Sequence, residues 1–270
     1  MTRQFDNIGT AAISVLNTEK AREKAEQARV VAAAWKAGTI PFQFDETPPD
    51  RPARPKRPDL LDPSQMPRRG KGGTESNRRA LLHAIAHIEL NAIDLAFDVI
   101  ARFGGVMPRA FTDDWIKVGD DEARHFTLLA GRLKSLQTIY GDLPAHDGLW
   151  QSATDTKNSL PARLAIVPMV LEARGLDVTP KMISQFKGAG DMDSAKVLQL
   201  ILDEEIVHVA TGTRWFKYLA KQGELNPDEW FRDLVQSYFK GNVKPPFNHA
   251  ARNKAGMPVS FYEPLADLLD

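Results

Sequence analysis

Glutamate is rare in the central part of this chain, and its few positions point to chemistry. Between residues 80 and 222 there are thirteen aspartates but only five glutamates. Because glutamate is a better helix former than aspartate, solvent-facing helices would normally use it freely. We therefore expect these five residues to serve a specific purpose: they are Glu89, Glu122, Glu172, Glu204 and Glu205.

The spacing of these residues reveals an internal repeat. Glu89 and Glu122 are 33 residues apart, and so are Glu172 and Glu205. Each half contains a single glutamate followed by Glu-x-x-His, in DDEARH at 120–125 and in DEEIVH at 203–208. The chain is thus predicted to contain two copies of a helix pair. An offset of 83 residues relates their members: Glu89 with Glu172, Glu122 with Glu205, and His125 with His208.

This repeat predicts a site for two metal ions. Residues three apart on a helix share a face, so each Glu-x-x-His can hold one cation. The single glutamate of each half would add a carboxylate that bridges the two ions. Burying so many ionisable groups without divalent cations would be very costly. A lone Glu-x-x-His arises easily by chance, but two at one shared offset do not. The predicted ligands are Glu89, Glu122, His125, Glu172, Glu205 and His208.

Four long helical patterns would position these residues. They lack the alternation of strands and carry helix-ending glycines or prolines. We expect an all-α, four-helix bundle within residues 74–223. The helices are predicted at about 76–103, ended by Gly104 and Gly105; 108–141, with Pro108 in its first turn; 159–174, broken by Gly175 and Pro180; and 193–222.

The flanking segments have a different composition. Residues 1–40 predict an N-terminal helix from an N-cap at Thr18 to Gly38. Residues 41–73 form a proline-rich strap, with eight prolines between 41 and 67 that exclude a helix. Residues 224–270 predict a short helix capped by Asn226 and an irregular tail. The basic residues of the strap could contact RNA, although a structural brace is favoured: Arg51, Arg54, Lys56, Arg57, Arg68, Arg69 and Lys71.

Composition limits the alternatives. The chain has no cysteine, which excludes disulfides, thiolate metal sites and iron–sulfur clusters. Its 35 Lys and Arg balance 35 Asp and Glu, so no global field attracts nucleic acid or membrane. Neither a membrane-spanning run nor an export signal is recognisable. A cytoplasmic protein is expected.

The helix motifs resemble those of the ferritin-like superfamily of di-iron and di-manganese carboxylate proteins. More narrowly, HAIAHIELNAIDLA, DEARHF, HDGLW and LEARGLDVTP are similar to an uncharacterised bacterial ferritin-like family of unknown function. The similarity to tRNA hydroxylases of the same superfamily is more distant. The resemblance covers about residues 76–222 and implies a ferritin-like bundle with a metal centre, but no particular reaction.

Several neighbouring residues have predicted supporting roles. Asp121 and Glu204, each just before a ligand glutamate, could accept a hydrogen bond from the ligand histidines, with Arg124 as a partner. His83 and His87 are expected to point away from the metals. Four further residues are weaker candidates near the site, of which the two tryptophans are more readily explained by packing: Trp115, Trp215, Tyr140 and His146.

The leading hypothesis is a di-iron oxidoreductase that uses O₂ to oxidise or hydroxylate an unidentified substrate. Oxygen-rich ligands suit two Fe ions, and two Mn ions or a mixed Mn/Fe pair remain alternatives. Electrons would come from a separate donor or from the substrate. A ferritin-type ferroxidase, a manganese catalase-like enzyme and a binding module with a vestigial site are the rival hypotheses. The oligomeric state is open, a dimer included, and a substrate opening is expected beside Gly175 and Pro180.

Overall fold

The protein is all-α in a computed structural model that describes residues 5–67 and 73–266. Among these residues the β-type pairing is limited to an isolated bridge between Leu60 and Ala145. The chain divides into two compact units, Met1–Trp150 and Gln151–Asp270. The predicted all-α class is confirmed. The four-helix bundle and the domain limits at residues 40, 73 and 223 stay predictions.

The first unit is built around two long helices. Its first four helices are α1 (Ile8–Leu16), α2 (Ala21–Lys36), α3 (Glu75–Phe103) and α4 (Arg109–Ser135). The two long helices, α3 and α4, pack against each other along their lengths, while α1 packs on α3 and α2 packs on α4. A further helix, α5 (Gly148–Asp155), begins at the end of this unit.

Helix α3 agrees with its predicted limits to within a residue. It begins after Thr74, whose hydroxyl accepts a hydrogen bond from the Asn77 amide at 3.2 Å. It ends at Gly104, where a short 3₁₀ turn follows. A Cβ atom at Gly104 would lie 2.6 Å from the Phe44 ring atom Cε1, so glycine permits the strap to pack against the helix end.

Helix α4 ends six residues before the predicted Gly141, at Ser135. Gln137 adopts a left-handed conformation with φ 56°. The Thr138 amide then donates to the Leu133 carbonyl and the Gln137 amide to the Lys134 carbonyl, both at 3.0 Å. These bonds form a Schellman motif, in which the left-handed residue is usually glycine, so the early end could not be predicted from a glutamine at this position.

The N-terminal segment contains two helices where one was predicted. Helix α2 ends as expected before Gly38, which has φ 71°, but its N-cap is Lys20 and not Thr18. The Thr18 hydroxyl instead donates to the Ser14 carbonyl at the end of α1. Side-chain bonding to the preceding turn therefore competed with helix capping.

The proline-rich strap is held to the first unit by buried charge. Arg54 Nε lies 3.0 Å from Asp94 Oδ2 on α3, and Arg54 also donates to Asn91 Oδ1 at 2.7 Å. Lys24 of α2 forms an ion pair with Asp94, and both side chains are fully buried. Burial lowers the pKa of Lys24 and raises the pKa of Asp94 despite their mutual attraction.

Another basic side chain of the strap, Arg51, pairs with Asp147 at 2.6 Å. Two basic residues of the strap that were predicted as possible RNA contacts, Arg51 and Arg54, thus form ion pairs within the first unit. Arg68, Arg69 and Lys71 lie outside the described residues. RNA binding by the strap stays a prediction.

The second unit has one long helix and several shorter ones. The elements are α6 (Leu160–Ile166), a π-helical segment (the π segment, Val167–Glu172), α7 (Ala173–Gly188), α8 (Met192–Gln222), α9 (Pro227–Tyr238), α10 (His249–Lys254) and α11 (Val259–Ala266). Helix α7 and the π segment pack on α8, and α9 packs on α6.

The predicted break at Gly175 and Pro180 is wrong, because α7 continues through both residues. Pro180 has no amide hydrogen, so it leaves the Leu176 carbonyl without its helical donor. The Asn248 side chain supplies the missing hydrogen bond, from Nδ2 to Leu176 O at 3.1 Å. With no loop between these residues, the reason for placing a substrate opening there also disappears.

The C-terminal tail is less irregular than predicted, since it contains α10 and α11. The Asn248 side chain caps α10 by accepting from the Ala251 amide at 3.2 Å. Pro258 directly precedes α11, and its carbonyl accepts a hydrogen bond from the Phe261 amide at 3.1 Å. Within residues 5–67 and 73–266, no helix combines the length and the apolarity that crossing a bilayer requires.

Replacing Asp94 by Asn should lower the free energy of unfolding by about 3–5 kcal/mol, because Lys24 and Arg54 would then be buried cations without their carboxylate. Lys24→Met should cost less, since Arg54 still balances Asp94. Urea denaturation measures both effects. Arg22→Ala, which breaks an exposed pair with Glu26 on the same helix, should have little effect. A loss in Asp94→Asn as small as in this control would contradict the prediction.

Candidate metal centre

Three of the six predicted ligands come together in the first unit. Helix α3 contributes Glu89, and α4 contributes Glu122 and His125. The Nδ1 atom of His125 lies 3.1 Å from Glu89 Oε2 and 3.3 Å from Glu122 Oε2. Each of the three offers a ligand atom within 4.8 Å of the others. The exposed fractions are 3% for Glu89 and 0% for both other residues.

Helix geometry explains this convergence. Glu122 and His125 are three residues apart on α4, so their side chains point from neighbouring positions on one face. Helix α3 packs along the same face and is buried almost continuously from Glu89 to Phe103. The single glutamate of α3 therefore meets the Glu-x-x-His of α4 inside the unit, as the spacing predicts.

Burial changes the protonation of this cluster. It raises the pKa of Glu89, and the charge of Glu122 raises it further despite the hydrogen bond from His125. For His125, burial alone would lower the pKa, but the hydrogen bonds to Glu122 and Glu89 outweigh it and raise the pKa to about 11. Protons thus offset the buried carboxylate charge in the metal-free chain. Two carboxylates and an imidazole also form a donor set that suits divalent iron or manganese.

The second unit carries the other Glu-x-x-His on α8. His208 Nδ1 lies 3.6 Å from Glu205 Oε1, and His208 is only 1% exposed. Glu205 is partly exposed, with 12% of its side chain accessible. Glu172 lies at the last position of the π segment and is also partly exposed. That all six residues form one centre stays a prediction.

The π segment places Glu172 differently from an uninterrupted α-helix. One extra residue in a turn rotates the side chains that follow by roughly 100°. The segment contains Pro168, which cannot donate a backbone hydrogen bond. It packs on α8 at Gly212, where a Cβ atom would lie only 2.4 Å from Pro168 Cγ. The irregularity predicted just after Glu172 instead occupies the six residues that end at Glu172, and Pro168 is the feature of the sequence that indicates it.

The supporting residues are placed as follows. Asp121 accepts a hydrogen bond from Arg124 Nη2 at 3.0 Å, which makes these two neighbours an ion pair. Glu204 lies on α8 and is partly exposed. Their hydrogen bonds to ligand histidines stay predictions. The two tryptophans, Trp115 and Trp215, are buried.

A second group of buried polar side chains lies next to the cluster along α3. His87 Nε2 donates to the His146 carbonyl at 3.2 Å, which leaves Nδ1 to accept from the Tyr140 hydroxyl at 2.8 Å. His83 Nε2 accepts from the Gly141 amide at 2.9 Å and stacks on the Tyr140 ring. The early end of α4 permits this arrangement. These histidines bind the loop after α4, a role that spacing alone could not indicate.

Comparisons with known proteins find a family and a relative that each match most of the chain. The sequence profile of a family described as "Protein of unknown function (DUF455)" matches residues 17–263. An uncharacterised protein of Haemophilus influenzae is 40% identical over 214 residues, which are 76% of this chain and 73% of that protein. No solved structure matches the chain. These matches attach no reaction to the chain, and the wider ferritin-like resemblance stays a prediction.

Gly212→Ala should destabilise the protein by about 1–3 kcal/mol, because the added methyl group would overlap Pro168 and displace the π segment. Gly131→Ala on α4 is the matched control. Its Cβ would meet no atom within 4 Å, so it should stabilise the helix by up to about 1 kcal/mol. Thermal and urea unfolding measure both changes. Stabilisation by both substitutions would show that the α8 contact is not tight.

The lowered pKa of His87 should make the stability of the protein depend on pH. Burial, followed by the charge of Arg54, lowers the pKa of His87 from 6.5 to about 3. Between pH 6.5 and about pH 3 the unfolded chain binds a proton at His87 and the folded chain does not. The free energy of unfolding therefore falls as the pH falls through this range. His87→Gln should make this decline shallower in urea titrations. His249→Gln, at an exposed histidine, should leave the decline unchanged; equal slopes for wild type and His87→Gln would refute the assignment.

Proposed function

This chain belongs to the DUF455 family of proteins of unknown function, and on that premise we propose that it is a dinuclear metalloprotein that uses O₂ to oxidise or hydroxylate a substrate. The observation that carries the proposal is the buried cluster of Glu89, Glu122 and His125. Such a cluster is costly in a structural role, since apolar residues of similar volume would pack there without desolvation.

The repeat extends the proposal to two ions. The second unit presents the same residue types at the same spacing: a glutamate on one helical element and Glu-x-x-His on the next. Three ligands from each unit would supply two imidazoles and four carboxylates for the two ions. The proposed set is Glu89, Glu122 and His125 with Glu172, Glu205 and His208.

Iron is the proposed metal, with manganese or a mixed pair as the alternative. Carboxylate oxygens in excess over imidazoles favour these ions over zinc or copper by ligand type. Two bound Fe(II) ions would supply the electrons that begin the reduction of O₂. Hydroxylation of a substrate C–H bond would take two electrons from the substrate and these two electrons, with two protons, and would release one water; a donor would then restore the two electrons. The chain has no cysteine for an iron–sulfur or rubredoxin-like site, so those electrons would come from a separate donor or from the substrate.

The residues of the chain have defined tasks in this proposal. Glu89 and His125 give up protons when they bind a cation, because the same atoms hold those protons in the metal-free chain. Buried apolar side chains keep water away from the reacting region. In the first unit these are Phe126 and Leu129, and in the second unit Met169 and Val209.

The direct test combines two measurements on the full chain. Elemental analysis of protein purified without added metal should find iron or manganese. Anaerobic titration with Fe(II) should saturate at two ions per chain, and O₂ should then be consumed with a change in the optical spectrum. Sedimentation as a large cage would favour the ferroxidase alternative, and O₂ release from peroxide would favour the manganese catalase alternative. No metal uptake at all would refute the proposal.

Replacing Glu122 or Glu205 by Ala should remove at least one ion per chain, since each residue shares its ion with the histidine three positions later. His87→Gln is the control and should retain both ions. Thermal unfolding of the metal-free Glu122→Ala variant should change less than its metal content, because removing one buried carboxylate also relieves repulsion. Full metal occupancy in both glutamate variants would contradict the ligand assignment.

A further inference from the structure

The second unit contains a cavity of about 180 Å³ whose lining shares only Met169 with the residues named in the metal proposal. One wall is the π segment, through Met169, Val170 and Leu171. The opposite walls come from the C-terminal part of the chain, which contributes aromatic rings. These rings belong to Phe231, Phe239, Phe247 and Tyr262.

The size and the lining of this cavity argue against a packing defect or a water cluster. Protein interiors contain few voids larger than one water molecule. A buried water needs about three polar partners, and this lining is mostly apolar. An apolar cavity of about 150 Å³ is large enough to hold benzene. The cavity therefore matches a compact apolar molecule the size of one substituted ring.

Buried polar interactions hold the aromatic walls open. Arg252 is 3% exposed and makes two hydrogen bonds to Asp177, at 2.9 and 2.7 Å. Its guanidinium carbon lies 4.5 Å from the centre of the Tyr262 ring and 5.2 Å from that of Phe247. The Tyr262 hydroxyl is also hydrogen-bonded to His249 Nδ1 at 2.9 Å. These contacts restrain the Tyr262 and Phe247 rings at the wall of the cavity and oppose their movement into it.

The outer wall is a chain segment without helix, residues 239–247, and it too is fastened in place. Arg174 Nη1 donates to the Lys244 carbonyl at 2.8 Å and to the Pro246 carbonyl at 3.0 Å. The exposed residues of this wall, Asn242 and Lys244, are polar. These two residues and the side chains of Arg174 and Arg252 also border the cavity, so a few polar groups interrupt a lining that is mostly apolar.

We propose that this cavity is a binding site for a small uncharged apolar molecule of about one aromatic ring. The walls are preformed, which reduces the ordering cost of binding. The inference does not depend on the metal centre. It requires only the packing of the second unit.

Binding can be measured by ¹⁹F NMR with 4-fluorotoluene as the probe and the full metal-free chain as the receptor. The wild type should shift or broaden the probe resonance in a saturable manner. Val243→Phe puts a ring into the cavity and should weaken binding at least about tenfold. Val259→Phe, at an exposed valine of the same unit, is the matched control and should bind like the wild type.

A second variant keeps the test decisive if Val243→Phe fails to fold. Phe239→Ala removes a partly exposed ring from the wall, so it should improve binding of 1-fluoronaphthalene relative to 4-fluorotoluene. No saturable binding by the wild type, or unchanged probe preference in Phe239→Ala, would overturn the proposal. Probe binding without metal uptake would refute only the proposed function, and metal uptake without probe binding would refute only this inference.

Discussion

Three ionisable side chains buried between α3 and α4 set the main physical constraint on this protein. Glu89, Glu122 and His125 have almost no contact with water, and an uncompensated charge in such a place costs several kcal/mol. Protons meet part of this cost in the metal-free chain, because the pKa values of Glu89 and His125 are raised. A divalent cation would replace those protons, which would couple metal binding to stability and to pH.

The remainder of each unit can be understood as support for such a site. In the first unit Arg54 anchors the strap to Asp94, which lies about 1.4 turns along α3 from Glu89. A second buried charge cluster therefore braces this helix. In the second unit, the close contact of Pro168 with Gly212 fixes the π segment that ends at Glu172. Both devices restrict the backbone next to a predicted ligand, where small displacements would change metal geometry.

Much of the fold and of the site follows from the sequence. Helix α3, helix α8 and the cap at Asn226 agree with their patterns, and the Glu and Glu-x-x-His of the first unit converge as predicted. The errors have specific structural causes that sequence patterns do not reveal. Gln137 follows the end of α4 in a left-handed conformation typical of glycine. Asn248, 68 residues after Pro180, donates the hydrogen bond that the proline cannot give to the Leu176 carbonyl. Tertiary contacts of this kind override helix signals, and they become visible only once the elements are packed.

The central claim is that two ions share one centre, and X-ray absorption of the iron-loaded chain tests it most directly. After anaerobic loading and removal of excess iron, the extended fine structure at the iron edge should show a metal–metal distance of about 3.5–4 Å together with oxygen and nitrogen ligands. An iron-loaded chain with two ions and no metal–metal scattering, or with a single ion at saturation, would contradict the account.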